Sequence, residues 1–244
     1  MISRSGALVW LLAAASLTAR DAVPRGGFSD NRPFKIFQTS PSSYPPWLAS
    51  AGVRQGQALA VINIDADGKL ADCLVIAYTD PDFAREAVDA ARAWEYAPAY
   101  ERGQPVGTRT ELMFNFEAQG MVLSVSPADL VASQMNRIVN PRITSFLAKV
   151  SDLDQPLAPI NPVKPLHPGK LLQPEQLEGI VRVDFYVDQE GRPRMPVVLR
   201  ASHELFARAV VDALEQWRFS PPTRAARPVV VRVVQDFVFR PASS

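Results

Sequence analysis

Trp94-Glu95-Tyr96-Ala97-Pro98 and Trp217-Arg218-Phe219-Ser220-Pro221 share one pattern, Trp-x-aromatic-x-Pro, and stand 123 residues apart. Working outward at that offset, residues Tyr44 to Phe116 align with His167 to Phe239 without a gap, and 19 of the 73 positions are identical. The identities include Pro45/Pro168, Gly56/Gly179, Asp65/Asp188, Gly68/Gly191, Phe83/Phe206, Pro98/Pro221, Pro105/Pro228 and Phe116/Phe239. Glycines, prolines and aromatics held in one register over this length mark an internal duplication, with a period long enough for each copy to be a module of its own. The chain therefore reads as two copies of one module.

Periodicity gives both copies the same elements. Ala58, Ala60, Ile62 and Ile64 alternate with Leu59, Val61 and Asn63, and Val181, Val183, Phe185 and Val187 alternate with Arg182, Asp184 and Tyr186. Period two predicts a strand with one face on a core. Each strand runs into Asp-x-x-Gly, Asp65 to Gly68 or Asp188 to Gly191, where glycine supplies the positive φ of a tight hairpin. A second strand follows at about Cys73 to Tyr78 and Val197 to Arg200. The period then lengthens: Phe83, Ala87, Ala90 or Ala91 and Trp94 share a helical face, as do Phe206, Val210, Ala213 or Leu214 and Trp217. Asp80 and Ser202 stand at the expected N-caps, and Pro98 and Pro221 at the stops. Arg85 with Asp89, and Arg208 with Asp212, are spaced to pair along each helix. The last strand spans Thr108 to Phe116 in the first copy and Val229 to Phe239 in the second. The expected fold class is α+β: in each copy strand, strand, helix, strand, a small antiparallel sheet with one helix across it.

Taken together, the glycine-led strand, Asp-x-x-Gly, the Phe fifteen residues later, Trp-x-aromatic-x-Pro, Pro-Val and a strand ending Phe-x-Phe resemble the C-terminal domain of the TonB family. Tyr44-Pro45 is similar to the Tyr-Pro that opens that domain; in the second copy His167 stands in place of the tyrosine. The resemblance covers about 75 residues twice. It implies a non-catalytic periplasmic module that recognises extended segments of a protein partner by adding a strand to a sheet edge. The implied partner is a protein such as an outer-membrane receptor or transporter, with no cofactor and no metal, and with membrane contact only through protein partners. By the same resemblance the partner-binding edges are the last strands. These are Val230, Val231, Arg232, Val233, Val234, Gln235 and Asp236 in the second copy and Arg109 and Glu111 in the first, with Tyr44 and Pro45 at the opening. The second copy is expected to hold the free edge around Val230 to Val238, because Met121 to Ser126 can fold back over the first copy's edge while Pro241 ends the second copy's strand.

The remaining segments are read as follows. Arg4 precedes an uncharged stretch, Ser5 to Ala19, whose apolar centre is 11 residues long, the form of a secretory signal and short of the roughly 20 residues that span a bilayer. The expectation is a cleaved signal, 1–19, and a periplasmic product; the alternative is an uncleaved anchor and a TonB-type energy transducer. The first module is assigned 43–117 and the second 165–240. Between them, 118–164 is read as a connection with an extra strand, a short helix at Ala128 to Ile138, and prolines at every third residue from Pro156 to Pro168. That spacing is the polyproline II repeat, suited to a stiff spacer or to a strap on a module surface.

Other chemistries find little footing. Without Arg4 the cationic and acidic residues balance at 25 each, so no broad basic surface exists for nucleic acid. One cysteine, Cys73, excludes an internal disulfide. The two histidines, His167 and His203, have no nucleophile or acid at triad spacing. Asp65-Ala66-Asp67-Gly68 lacks the later oxygen ligands of a calcium loop, and no phosphate-binding glycine loop is present.

Overall fold

The computed structural model describes residues 31–38, 44–118, 120–124, 143–169 and 177–240. The signal expected at 1–19 and the helix expected at Ala128 to Ile138 lie outside them. Two compact units divide between Ser145 and Phe146.

In the first unit the elements run β1 (Lys35–Gln38), α1 (Pro46–Ser50), β2 (Gln55–Ile64), β3 (Leu70–Tyr78), α2 (Pro81–Ala93), β4 (Glu95–Ala97), β5 (Ala99–Glu101), β6 (Gln104–Val106), β7 (Thr108–Glu117), β8 (Gly120–Ser124) and β9 (Thr144–Ser145). The main sheet has the order β8-β7-β2-β3-β9. Antiparallel β2 and β7 pair over ten residues, from Gln55 with Glu117 to Ile64 with Thr108. The even residues of β2, Ala58 to Ile64, form the core with Phe83, Ala87, Ala90, Ala91, Leu112, Phe114 and Phe116. The other face is buried as well: Leu59, Val61 and Met113 are each 1% exposed. The alternation had suggested one covered face; apolar residues at both parities meet the requirement of a strand buried on two sides.

The second unit follows with β10 (Leu147–Ala148), a 3-10 turn at Val150–Asp152, β11 (Gly179–Val187), β12 (Pro193–Ala201), α3 (Glu204–Leu214), β13 (Thr223–Arg224), β14 (Arg227–Pro228) and β15 (Val230–Phe239). Its sheet order is β10-β15-β11-β12. Val181, Val183, Phe185 and Val187 pack with Phe206, Val210, Leu214, Trp217, Phe237 and Phe239.

Gly56 and Gly179 stand where β2 and β11 begin because an aromatic ring occupies their Cβ space: a Cβ on Gly179 would lie 2.6 Å from the Phe206 ring, and one on Gly56 would run into Phe83. Those rings stack on the ends of the last strands, Phe83 on Phe116 at 4.9 Å and Phe206 on Phe239 at 4.3 Å.

Several local expectations shift. Asp80 caps α2, accepting from the Asp82 N–H at 2.9 Å. In the second unit the cap is His203 rather than Ser202: His203 Nδ1 accepts from the Leu205 N–H at 3.1 Å, while Ser202 Oγ accepts from Ile180 N–H at 3.0 Å and so ties β11 to the helix start. Both helices end before their tryptophans, at Ala93 and Leu214, so Pro98 and Pro221 are not the stops. Trp94 and Trp217 enter the core from the extended segment after the helix, and both are under 10% exposed. Arg85 pairs with Asp82, one turn toward the helix start, and not with Asp89; a carboxylate in the first turn also faces the positive end of the helix dipole.

The Asp-x-x-Gly hairpins are built alike. Asp65 Oδ1 accepts from the N–H groups of Asp67 and Lys69, at 2.9 and 2.8 Å. Asp188 repeats these bonds to Glu190 and Arg192 and adds Arg192 Nε at 2.9 Å and Arg194 Nη1 at 3.3 Å. Burial alone raises the Asp188 pKa; the bonds from Arg192 and Arg194 outweigh it and hold the carboxyl below the ordinary carboxylate value. A depressed folded-state pKa contributes stability above the unfolded value, about 3.9, and that contribution is lost as pH falls through the folded value. Thermal unfolding of the chain between pH 7 and 3 is therefore expected to show a drop below about pH 4 that Asp188→Asn flattens. An unchanged acid limb in the variant would remove Asp188 as its source.

Candidate partner-binding edges

The prolines from Pro156 onward are held by the second unit, so the boundary placed at Pro165 falls inside what that unit binds. Asp154 accepts from the N–H groups of Ala225 and Ala226 at 2.8 and 2.9 Å. Pro159 bridges to Phe219, and Ile160 N–H donates to Arg218 O at 2.7 Å. Trp217 Nε1–H donates to Val163 O at 2.7 Å. Of the two readings of this segment, spacer and strap, these contacts are those of a strap. At the same offset of 123 the first unit has Asn31 Oδ1 accepting from Arg102 N–H at 2.7 Å, and Ile36 paired with Tyr96 in the β1–β4 ladder. The duplication thus reaches back to Asn31 and Asp154. Proline has no N–H to donate, so what is a strand ladder in the first unit becomes a proline strap in the second.

Both caps serve a strained turn. Arg102 and Gly103 have φ of 51° and 77°, and Ala225 and Ala226 have 51° and 58°. L-residues with side chains seldom adopt this region, and the side-chain oxygen of Asn31 or Asp154 satisfies the N–H groups such turns expose. In Asp154 the same bonds hold the carboxyl below its ordinary pKa.

Tyr44 and Pro45, expected among the partner contacts, lie on no edge. The Tyr44 hydroxyl donates to Val53 O at 2.8 Å, its ring meets Phe83 edge-on, and Pro45 is buried with its carbonyl accepting from Leu48 N–H. They anchor the start of the module. His167 does the same in the second unit. Its ring sits edge-on to Phe206 and Phe239, and Nε2 is 2.8 Å from Leu177 O. A carbonyl only accepts, so Nε2 carries the proton and donates.

The last strands differ between units. β7 has β8 beside it, paired from Met113 with Ser124 to Glu117 with Gly120. Arg109 and Glu111 lie in the half of β7 that β8 does not reach. β15 is bordered on one side by β11 along all but its first residue, from Phe239 with Gly179 to Val231 with Val187. On its other side β10 takes only Val230 and Val231, by parallel pairing with Leu147 and Ala148. The expectation of a free edge starting at Val230 is corrected accordingly: Val230 N–H is donated to Phe146 O at 2.7 Å. Ala148 sits with Val229 and Val231 in a small apolar cluster, which gives that short strand its hold. This contact was not legible beforehand, since two residues carry no period.

Backbone groups alternate sides along a strand. With Val230 facing β10, the N–H groups of Val234, Asp236 and Val238 face the same side, where the described residues place no strand. Val233, Gln235, Phe237 and Phe239 face β11 with their backbones. Side chains alternate too: Phe237 and Phe239 enter the core, while Val234 and Val238 are 55% and 59% exposed on the opposite face. On that face Arg182 holds Asp236 by two bonds of 2.7 Å, and Arg232 holds the fully buried Asp184 through Nε and Nη2 at 3.0 and 2.5 Å. The Arg182 contact keeps the Asp236 carboxyl below its ordinary pKa. The other outer strand, β12, is a poorer template: Pro193 and Pro196 lack donors, and Met195 has a φ of 52°.

Among the described residues, no group of three metal-ligating side chains is assembled, and no helix is long and apolar enough to cross a membrane.

Comparison with known proteins locates the chain. Protein TonB of two strains of Xanthomonas campestris pv. campestris, B100 and ATCC 33913, is 33% identical over 78 residues, which is 32% of this chain and 34% of each relative. The chain thus spans about a third of the length of these relatives. The solution structure of Pseudomonas aeruginosa TonB CTD matches at 26% identity with a TM-score of 0.33, covering 40% of this chain and 96% of that one. The profile described as Gram-negative bacterial TonB protein C-terminal matches residues 40–118 and again 171–241, more than half of the sequence, so the chain belongs to that family and carries its domain twice.

Proposed function

We propose that the chain is a non-catalytic, exported protein-binding protein whose second unit receives an extended segment of a partner, an outer-membrane receptor or transporter, as an added strand on β15. The observation that carries this reading is the stretch Val233–Phe239, paired with β11 on one side and with no described strand on the other, at the place where the first unit carries β8. An open edge offers unsatisfied donors and acceptors in a row, which is both an aggregation hazard and a template. Family membership supports a protein-interacting module. The uncharged stretch Ser5 to Ala19 supports export to the periplasm.

The test is a titration of the full chain with peptides from the periplasm-facing segments of outer-membrane receptors, read by amide chemical shifts. Shifts are expected to concentrate between Arg232 and Phe239. Val234→Pro removes an outward donor, and its ring obstructs the incoming strand; it is expected to weaken binding about tenfold with folding retained. A proline at Leu112 in the first unit is expected to damage folding itself, because Leu112 is 1% exposed and lies in the ladder with β2. Binding that leaves β15 unshifted, or that is indifferent to Val234→Pro, would overturn the proposal.

A further inference from the structure

The face of the first sheet turned away from α2 is apolar where the matching face of the second sheet is charged. Leu59 pairs with Met113 and Ala77, and Val61 with Leu74, so these five side chains share that face. All are buried, none more than 8% exposed, and none belongs to the core beneath α2. The buried apolar residues of both described helices of the unit, Leu48 of α1 and Phe83, Ala87, Ala90 and Ala91 of α2, lie in that other core. Moved by 123 residues, Leu59, Val61, Ala77 and Met113 become Arg182, Asp184, Arg200 and Asp236, and only Leu74 keeps its character, as Val197. In the second unit the side chains of Arg182 and Asp236 are 53% and 41% exposed. One copy of the face thus meets water, and the other lies under a cover.

The course of the chain singles out the part that is placed to supply this cover. Ser124, Met113, Leu59, Ala77 and Ser145 are successive partners in one row across the sheet, from the β8 edge to the β9 edge. The chain leaves the sheet at one end of this row and rejoins it at the other, and 125–142, between the two, are outside the described residues. The row spans four strand spacings, about 19 Å. Ser126-Pro127-Ala128-Asp129 reads as an N-cap, a first-turn proline and a first-turn acid, and Asn140-Pro141 as a stop. Between them Ala128, Val131, Ala132, Met135, Ile138 and Val139 recur at helical spacing on one side, opposite Asp129, Ser133 and Arg137. A helix over Ala128 to Ile138 would be about 16 Å long, close to the width of the row. We propose that 125–142 crosses the face of Leu59, Val61 and Met113 as an amphipathic helix and is the cover this sheet requires. The face beneath α2 is already filled, so the segment takes the other one, at the expense of the right-handed sense that such crossovers usually have. This part of the connection is then an element of the first unit and not a spacer, and it closes that unit's second face to outside partners.

Methyl NOEs in the unaltered full chain provide the test and depend on no variant folding. Contacts from Leu59, Val61 and Met113 are expected to reach Val131, Met135 and Ile138. Contacts to residues of the second unit in their place would overturn the proposal, as would contacts between copies in a mixture of labelled and unlabelled chain. Two variants check which side of the segment faces the sheet. Met135→Asp is expected to speed hydrogen exchange at the Val61 amide about thirtyfold, the equivalent of losing one buried apolar side chain. Ser133→Asp, on the polar side, is expected to leave that exchange unchanged. Equal effects of the two variants, or no effect of either, would overturn the assignment. None of these readouts involves β15, so the result stands apart from the partner-binding reading.

Discussion

Trp217→Ala is expected to cost the second unit about 3 to 5 kcal/mol, the range for removing a large buried aromatic. The side chain is 8% exposed and its ring lies 5.6 Å from the rings of both Phe219 and Phe237. It also fastens the strap, through the 2.7 Å bond from its indole N–H to Val163 O. Trp217→Phe divides the two roles: the core stays largely filled while the donor is lost, for about 1 kcal/mol. Urea unfolding followed by calorimetry gives the magnitudes, and hydrogen exchange at Ile160 reports whether the strap has come loose. In the first unit Trp94, 5% exposed and stacked on Phe114 at 5.3 Å, is the matching residue. A loss below about 1 kcal/mol for Trp217→Ala, well under what cavity formation requires, would mean that its role lies in contact with a partner.

The second large effect concerns a buried charge. Arg232→Ala is expected to destabilise the second unit by about 3 kcal/mol, because it strips the guanidinium from a carboxylate, Asp184, that is fully buried. Replacing both residues by valine is expected to restore most of that loss, since a buried ion pair exchanged for apolar side chains is often neutral or stabilising. The chain has already made half of this exchange: at the position of Asp184 the first unit has Val61, 1% exposed. Denaturant midpoints of the single and double variants provide the measurement. A double variant as weak as Arg232→Ala alone would show that the pair is held by more than its mutual attraction.

The duplication made the fold legible because its markers are residues with backbone or packing duties. Gly191 has a φ of 77° and a Cβ there would strike Phe219 O, while Gly179 yields its Cβ space to Phe206. Such positions accept few substitutes, so they stayed aligned in both copies. What escaped was held by contacts without a period. The clamps at Asn31 and Asp154 and the two-residue β10 depend on where a distant turn or strand comes to lie, and no local pattern encodes that. The helix ends were misplaced for a related reason: Trp94 continues the apolar spacing of α2, yet its backbone is already extended, with ψ of 157°. At the last strand, the family resemblance pointed to β15 from Val230 onward, and the structure gives its first two residues to β10.

The straps also bear on how the fold forms and how long it lasts. Asn31 reaches a turn 71 residues away, and Asp154 reaches one 72 residues away. Closing so long a loop is costly before the sheet exists and cheap afterwards, when β11 and β15 have already brought the turn and the start of the unit together. Contacts made after the folding barrier leave the rate of folding nearly untouched and govern the rate of escape from the folded state. The proline strap is thus a latch on the lifetime of the second unit. Wherever proteolysis outpaces refolding, the slow step that matters for such a unit is the first release of that latch.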